Sequence, residues 1–292
     1  MKKIKNRKSV IILLLFLLVF AGALVFITLK PDTVFLIKQR ITQSFDKAEV
    51  KAVSYGNDEL TQITYSEIER DSNFIIDNSL MLINQENTLS DSFSPNIGEY
   101  KDSGVIMDKG LFKAYEKMAN EIIEKFDDKL YIMSAYRDSS EQEDISQEKK
   151  GEGTAMPEGA SEHQAGLALD VYVKGFAGLG FLKSEVGQYV NEKCWEYGFI
   201  IRYPSGKTNI TKVEFEPWHL RYVGFPHSEI IYRNNITFEE YIESLELGEF
   251  YYYDDYIITR QSSEGYLLPK EYKSAVISPD NMGNYIITLK TK

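Results

Sequence analysis

Cysteine, histidine and positive charge are scarce in this 292-residue sequence. A single cysteine, Cys194, excludes an intrachain disulfide, so the fold must be held together by its core. Cys194 lies in an apolar helical stretch, which predicts a buried and inert thiol. The formal net charge of −11 argues against nucleic acid as a partner, because phosphate binding needs clustered lysine and arginine. The His-Glu-x-x-His run that marks many metallopeptidase helices is also missing.

The first thirty residues combine a basic tail with a long apolar run. The run from Val10 to Leu29 contains no charged residue, and a helix of that length spans about 30 Å, the hydrocarbon thickness of a bilayer. It is longer than the usual apolar region of a cleaved signal, which is the alternative. We predict a cytoplasmic tail at 1–8 and a transmembrane anchor at 9–29. Everything that follows then lies outside the membrane of a bacterium.

The rest of the chain divides into three segments. Residues 30–75 are charged and weakly periodic, which predicts a stalk. Its first apolar residues could form one helical face near the membrane: Val34, Phe35, Ile37, Ile41 and Phe45. Residues 76–232 mix helical and strand patterns and predict an α+β domain. Residues 233–292 begin with a capping box formed by Thr237 and Glu240 and continue as a β-rich extension.

Within residues 76–232 the periodicity of apolar residues predicts the individual elements. Strands are expected at 80–84, 131–136, 167–173, 199–203 and 211–215. Helices are expected after Asp108, which would cap the first of them, and at 185–197, with Gly198 at the end of the second. Residues 139–158 are polar without periodicity and predict a loop. His227 lies outside every motif and is expected on the surface.

One histidine lies in a run of ten residues that ends on a predicted strand. Residues 161–170 read Ser-Glu-His-Gln-Ala-Gly-Leu-Ala-Leu-Asp. Asp170 lies among apolar strand residues, where a carboxylate is costly to bury unless it is paired or coordinates a metal. His163 at the mouth of the strand and Asp170 on it can converge on one ion, with a turn at Gly166 between them. A loop histidine and a hydrogen-bonded aspartate are the alternative reading.

A second histidine lies in the run Glu-Pro-Trp-His at 216–219. Residues three apart on a straight strand face opposite ways, but Pro217 bends the backbone and lets Glu216 and His219 share a cavity. The two runs together offer two imidazoles, one carboxylate ligand and one spare carboxylate. A hydrolytic zinc centre uses this set, with three protein ligands and one open position.

These runs resemble the signature of VanY-type D-alanyl-D-alanine carboxypeptidases, zinc peptidases grouped with lysostaphin-like enzymes and the hedgehog domain. The match extends to Ser-Ala-Tyr-Arg at 134–137 with Gln142, to Gly-Phe-Ile-Ile-Arg-Tyr-Pro at 198–204 and to Trp-His-Leu-Arg-Tyr-Val-Gly at 218–224. It covers residues 80–232, about half of the chain. Ala135 and Asp138 replace a glycine and a serine that are common in the family. The implied fold is α+β, a central antiparallel sheet flanked by helices.

The resemblance also implies a role for each site residue. Zinc would be held by His163, Asp170 and His219, with Glu216 as the catalytic base. An arginine at the site, here Arg137, would stabilise the developing oxyanion or clamp a terminal carboxylate. Ser161 and Gln142 are candidates for hydrogen bonds to the substrate or for orienting a residue that contacts it. Four further motif residues are expected to be structural: Arg202, Tyr203, Arg221 and Tyr222.

The function implied is removal of the terminal D-alanine from peptidoglycan stem pentapeptides, with glycopeptide resistance as a biological context. An external domain fits this substrate, which lies outside the membrane. Three alternatives stay open: an L,D-carboxypeptidase acting on tetrapeptide stems, a non-catalytic cell-wall binding module, and a scaffold whose tyrosine-rich tail binds a partner. A pure dipeptidase is disfavoured because its substrate is cytoplasmic, and retention of Glu216 argues against loss of catalysis.

Overall fold

The computed structural model describes residues 12–13, 16, 30–148, 156–262 and 265–292. The tail predicted at 1–8 lies outside the described residues, as does the anchor predicted at 9–29 except for Ile12, Leu13 and Phe16. None of the helices in the described ranges has the length and apolarity needed to span a bilayer.

The elements follow one another in three groups. The N-terminal group comprises α1 (Pro31–Phe45), β1 (Lys51–Val53), β2 (Leu60–Ile63), α2 (Tyr65–Ile68) and β3 (Phe74–Ile76). The middle group comprises β4 (Ile97–Glu99), β5 (Ile106–Asp108), α3 (Phe112–Phe126), β6 (Tyr131–Ser134), α4 (Ser139–Glu148), β7 (Ala168–Tyr172), α5 (Glu185–Lys193), β8 (Phe199–Ile201), α6 (Thr208–Thr211) and β9 (His219–Tyr222). The C-terminal group comprises α7 (His227–Asn234), α8 (Phe238–Ser244), β10 (Phe250–Tyr253), β11 (Tyr256–Ser262), β12 (Tyr266–Pro269), β13 (Ser274–Pro279) and β14 (Asn284–Lys290).

The central sheet is antiparallel, with strand order β6-β7-β9-β8. Helix α3 covers it with the predicted apolar stripe, and Tyr115, Met118 and Ile122 on that stripe are buried. Asp108 caps the 3-10 turn that leads into α3, because its carboxylate accepts a hydrogen bond from the amide of Gly110 at 2.7 Å. The α+β class and the antiparallel central sheet are therefore confirmed.

Three local predictions in this domain are wrong. Residues 80–84 are buried but irregular, and their backbone is held by contacts with other elements, such as the hydrogen bond that the amide of Leu80 donates to the Ser278 hydroxyl. The segment predicted as a loop at 139–158 begins with α4. Asp138 caps this helix, because its carboxylate accepts a hydrogen bond from the amide of Glu141. The strand predicted at 211–215 is absent, since α6 ends at Thr211 and the following described residues are irregular.

The C-terminal sheet has six strands in the order β1-β10-β11-β14-β13-β3. Its edge strands β1 and β3 come from the segment predicted as a stalk, and β2 of the same segment pairs with β12. The stalk prediction is therefore wrong for this part of the chain. Each of these strands has only three or four residues, too few to show a period, and each pairs with a partner about two hundred residues away.

A shared apolar core joins the two sheets. It contains Leu80 and Leu82 from the irregular segment, Ile200 from β8, Tyr241 from α8 and Ile286 from β14. His227 lies at the edge of this core, and its Nδ1 contacts the Tyr241 hydroxyl while its Nε2 lies 2.8 Å from the Thr288 hydroxyl. The prediction of a surface histidine is wrong, because the ring is buried between α8 and β14.

Candidate active site

Three buried side chains from separate elements converge at one end of the central sheet. His163 lies in a 3-10 turn (Glu162–Ala165), Asp170 lies on β7, and His219 opens β9 directly opposite Asp170 in the strand pairing. Their ligand atoms all lie within 4.8 Å of one another. The structure thus brings together the three residues predicted to hold a metal.

Gly166 ends the turn that places His163 beside the strand. Its φ of +71° lies in the left-handed region that favours glycine. A Cβ atom at this position would lie 2.8 Å from Cγ2 of Ile97 and 2.9 Å from the amide nitrogen of Asp108. The motif therefore needs glycine here both for backbone conformation and for space.

The two imidazoles face the site through different nitrogens. Nδ1 of His163 contacts the carbonyl oxygen of Ala135, so Nε2 faces the site and lies 3.4 Å from Oδ2 of Asp170. In His219 the order is reversed: Nδ1 lies 3.2 Å from Oδ1 of Asp170, and Nε2 lies 3.5 Å from Oε2 of Glu162. Among the described residues, Nε2 of His163 and Oδ1 of Asp170 are buried without a hydrogen-bond partner, as are Nε2 of His219 and Oε2 of Glu162, which lie 3.5 Å apart. Buried orphan atoms of this kind fit a divalent cation.

Three carboxylates surround the imidazole of His219. Burial alone lowers the pKa of His219, but Asp170, Glu162 and Glu216 together hold that pKa well above its usual value. For the carboxyl group of Asp170, burial raises the pKa. The two imidazoles nevertheless hold that pKa well below its usual value, so the ligand carboxylate is ionised. The pKa of His163 is lowered, chiefly by burial. The cluster is therefore suited to a positively charged occupant.

Glu216 shares the cavity with His219 because the chain turns between them. The amide of His219 donates to the carbonyl oxygen of Glu216 at 3.2 Å, across the bend predicted at Pro217. Oε2 of Glu216 lies 3.4 Å from Nδ1 of His219, the nitrogen that faces the site. This carboxylate lies within reach of the metal position yet is a separate group from the three convergent ligands.

Arg137 is anchored by three side chains. Its Nη2 donates to Oδ2 of Asp170 at 2.9 Å, its Nε to the Ser134 hydroxyl at 2.8 Å, and its Nη1 to Oε1 of Gln142 at 3.3 Å. The amide nitrogen of Gln142 is used as well, because it donates to the carbonyl oxygen of Met156 at 2.6 Å. Gln142 is almost fully buried and supports the arginine. Ser134 also holds Arg137 in place, although it was not among the predicted site residues.

Glu162 is a second residue that the sequence reasoning missed. It is fully buried, and its Oε1 accepts hydrogen bonds from Nε of Arg202 at 2.6 Å and Nη1 of Arg221 at 2.7 Å. Burial is the largest single influence and raises the pKa of Glu162, but Arg221, Arg202 and His219 together hold that pKa well below its usual value. Arg202 also binds Glu239 at the start of α8, with Nη1 lying 3.0 Å from Oε2. The sequence carried one signal for Glu162: it is a charged residue directly beside the predicted ligand His163.

The three ligands line a cavity of about 470 Å³. Ser161, Glu216 and Arg137 line it as well, together with apolar side chains: Met133, Ile145, Met156, Leu179, Phe215 and Trp218. Met133 lies at an irregularity in the pairing of β6 with β7, where a bulge re-aims a side chain. Arg137 also borders a second, polar cavity of about 350 Å³. The site thus has room for a peptide end beside the metal ligands.

Comparison with known proteins assigns this site to a family. Residues 104–225 match the VanY family model, described as D-alanyl-D-alanine carboxypeptidase. A D-alanyl-D-alanine carboxypeptidase of Enterococcus faecium is 36% identical over 201 residues, which span 65% of this chain and 65% of that enzyme. The bifunctional D-Ala-D-Ala dipeptidase and carboxypeptidase VanXYC of Enterococcus gallinarum is 33% identical, over 58% of this chain and 95% of that protein.

Solved structures agree with this assignment. A VanY variant from a VanB-type vancomycin resistance cassette, in complex with Zn(II), is 31% identical with a TM-score of 0.50 and covers 56% of this chain and 98% of that one. VanYB in complex with D-alanine-D-alanine is 30% identical with a TM-score of 0.52, and the match covers 57% of this chain and 99% of that one. The LdcB L,D-carboxypeptidase is 33% identical with a TM-score of 0.51, and the match covers 56% of this chain and 86% of that one. With its convergent ligands and these relatives, the chain belongs to the VanY family of D-alanyl-D-alanine carboxypeptidases.

Proposed function

We propose that this chain is a zinc-dependent D,D-carboxypeptidase that removes the terminal D-alanine from peptidoglycan stem pentapeptides. The observation that carries the proposal is the convergence of His163, Asp170 and His219, with Glu216 and Arg137 beside them. The names of the relatives support the substrate, since the E. faecium and E. gallinarum proteins act on D-Ala-D-Ala and VanYB binds it. The resistance cassette of the VanY neighbour supports glycopeptide resistance as the biological context.

His163, Asp170 and His219 would hold the zinc ion. When bound, zinc supplies a Lewis acid that polarises the scissile carbonyl and lowers the pKa of water to about 7. Glu216 accepts the proton of the attacking water and passes it to the nitrogen of the leaving D-alanine. Its carboxylate is placed for both steps, because it faces the same cavity as the ligands and lies outside the ligand set.

Arg137 supplies positive charge next to the scissile bond. Hydrogen bonds to Asp170, Ser134 and Gln142 fix its guanidinium plane before the substrate arrives. A fixed guanidinium can stabilise a developing oxyanion without reorganising, and its planar fork also suits the terminal carboxylate of the peptide. Ser161 lines the same cavity and supplies a hydroxyl for a substrate hydrogen bond.

The proposal includes the placement of the domain outside the membrane. The uncharged run from Val10 to Leu29 supports a transmembrane anchor, and the basic residues before it support a cytoplasmic tail. We assign residues 76–232 to the peptidase domain and residues 233–292 to the C-terminal extension, which shares a core with it. This topology places the site on the side where peptidoglycan lies.

Substrate preference is tested with synthetic stems. The full-length chain in detergent, loaded with zinc, is incubated with a pentapeptide stem and with a tetrapeptide stem, and the products are identified by mass. The proposal expects loss of one alanine from the pentapeptide only. Cleavage of the tetrapeptide alone would favour the L,D-carboxypeptidase alternative, which the similarity to LdcB supports. Failure to cleave either stem, with zinc bound, would support a binding module instead.

A further inference from the structure

Helix α1 exposes its apolar side. Val34, Ile37, Ile41 and Phe45 fall within about a quarter of the helix circumference, because a helix turns by 100° per residue. Ile37, Ile41 and Phe45 are 51%, 56% and 88% exposed, and Val34 is half-buried. We call these four residues the outer stripe. Most surface helices bury such a stripe against the core, so its exposure here calls for a partner.

The opposite side of α1 is tied to the domain, so the helix cannot rotate to bury the stripe. The side-chain amide of Gln39 donates to the carbonyl oxygen of Asn191 at 2.8 Å, and that of Gln43 donates to the carbonyl oxygen of Tyr232 at 2.9 Å. Arg40 binds the carbonyl oxygen of Ser205, also at 2.9 Å. These bonds join α1 to α5, to α7 and to the turn after β8.

The sequence immediately before α1 identifies the partner. The uncharged run ends at Leu29, and α1 begins at Pro31. Lys30 between them has a non-helical backbone, with φ of −133° and ψ of 56°, so α1 does not continue a helix through this residue. If the run is the membrane anchor of the proposed function, α1 starts at the bilayer surface, and the break at Lys30 allows it to lie along that surface.

We propose that the outer stripe of α1 lies in the interface of the lipid bilayer. The helix has the composition of an interfacial helix, with apolar residues on one side and Lys38 at the flank of the stripe, where it can face anionic headgroups. The polar side that such a helix usually turns to water is here turned to the peptidase domain. The proposal rests on the anchor and adds to it a fixed orientation of the domain.

The orientation has a consequence for the active site. A small apolar cavity lies between α1 and the domain, and Phe215 lines it together with Leu36 of the helix. The same Phe215 lines the active-site cavity next to Glu216. Phe215 therefore borders both the cavity beside the helix and the active-site cavity. With α1 on the bilayer, the domain holds the active site at a fixed height above the membrane surface, where a stem peptide on a lipid-linked precursor would be presented.

The sole cysteine makes a direct test possible. Cys194 is buried, and burial raises the pKa of its thiol to about 12, so it does not react with thiol probes in the folded protein. An Ile41→Cys variant then carries one reactive thiol in the stripe, and a Glu141→Cys variant carries one on the exposed side of α4 as the matched control. Both are labelled with an environment-sensitive fluorophore. The full-length proteins are reconstituted into vesicles of phosphatidylcholine and phosphatidylglycerol.

The expected result is a blue-shifted probe at position 41 that is quenched by spin-labelled lipids, beside an unshifted and unquenched probe at position 141. Vesicle flotation in the same samples reports the anchor separately. Flotation with a water-exposed probe at 41 would overturn the surface proposal and leave the anchor standing. A blue shift that grows with protein density but resists lipid quenching would assign the stripe to a second copy of the chain and also overturn it. Protein that fails to float overturns both.

Discussion

Oε2 of Glu162 lies 3.5 Å from Nε2 of His219, on the side of the ring turned away from Asp170. The Glu162 carboxylate thus faces Nε2, the ring nitrogen on the outer side of His219. Nδ1 is left directed at the metal position. At 3.5 Å, Oε2 and Nε2 make an electrostatic contact without a hydrogen bond, and a carboxylate on this side of the ring favours the tautomer that leaves Nδ1 free for a metal. Two buried arginines hold Glu162 in place, so the orientation of His219 depends on residues that never touch the substrate.

The first prediction concerns this contact. Glu162→Gln keeps the shape of the side chain but removes the charge that faces His219 and pairs with Arg202 and Arg221. We expect zinc affinity to fall about tenfold to a hundredfold, measured by competition with a chromophoric chelator. Thermal stability should fall as well, because two buried guanidinium groups lose their shared counter-ion.

Glu239→Gln is the matched control for this prediction. It removes the other counter-ion of Arg202 but has no contact with His219. We expect it to lower the melting temperature while zinc affinity stays near that of the unmodified chain. Equal losses of zinc affinity in the two variants would show that Glu162 acts on overall stability and does not orient the ligand.

The second prediction separates the catalytic base from the metal ligands. Glu216→Gln should leave zinc stoichiometry unchanged, because three other residues converge on the metal position. It should lower kcat by about a hundredfold to ten-thousandfold, the usual contribution of a positioned base. Metal analysis and steady-state kinetics on the same preparation test this. His219→Ala serves as the contrast, since it should lose both zinc and turnover.

The third prediction concerns Gln142, which the sequence suggested as a substrate contact. In the structure its amide supports Arg137, so Gln142→Ala should lower kcat/KM about tenfold to a hundredfold through a misplaced guanidinium. The kinetic profile should then be a weaker version of that of Arg137→Lys. Gln147→Ala, on the exposed side of the same helix, is the control. A Gln142→Ala profile unlike that of Arg137→Lys, with a raised KM and an unchanged kcat, would indicate direct contact with the substrate.

The fourth prediction is a dependence of stability on pH. Burial lowers the pKa of His227 to about 3, against 6.5 for the exposed side chain. The unfolded chain therefore binds the proton first as pH falls, and the contribution of the neutral ring is complete above pH 6.5 and declines below it. We expect the free energy of unfolding to lose about 1.4 kcal/mol per pH unit from this residue. Denaturant titrations between pH 7 and 5 would measure the slope.

His227→Gln provides the comparison for the pH effect. Glutamine can still contact Tyr241 and Thr288 but does not titrate. The variant should be less stable than the unmodified chain at pH 7 and should show a shallower slope below pH 6.5. Identical slopes in the two proteins would mean that other groups account for the acid sensitivity.

The active-site residues could be predicted because each depends on short-range sequence. His163 and Asp170 are seven residues apart and joined by a turn that requires Gly166, and the bend after Glu216 is marked by a proline. The apolar strand pattern around Asp170 predicted that this residue lies on a strand, and β7 pairs with β9 at the position where the ligands meet. Local pattern and family resemblance therefore agreed on the same set of side chains.

The remaining features depend on contacts between distant parts of the chain. Glu162 and Arg202 are forty residues apart, and nothing in either local pattern indicates that they form a buried pair. Helix α4 has almost no apolar periodicity, so its sequence resembled a loop. The short strands β1 and β3 have no amphipathic signal of their own and form only because strands from the other end of the chain accept them.

That pairing sets the order in which the protein can assemble. Strands β1 and β3 occupy the two edges of a sheet whose two middle strands are β11 and β14. The early segments stay unpaired until β10 and β13, about two hundred residues later in the chain, have been made. A chain that stops short of its final ten residues would leave β11 and β13 without their common neighbour. A complete sheet therefore requires strands from both before and after the peptidase domain.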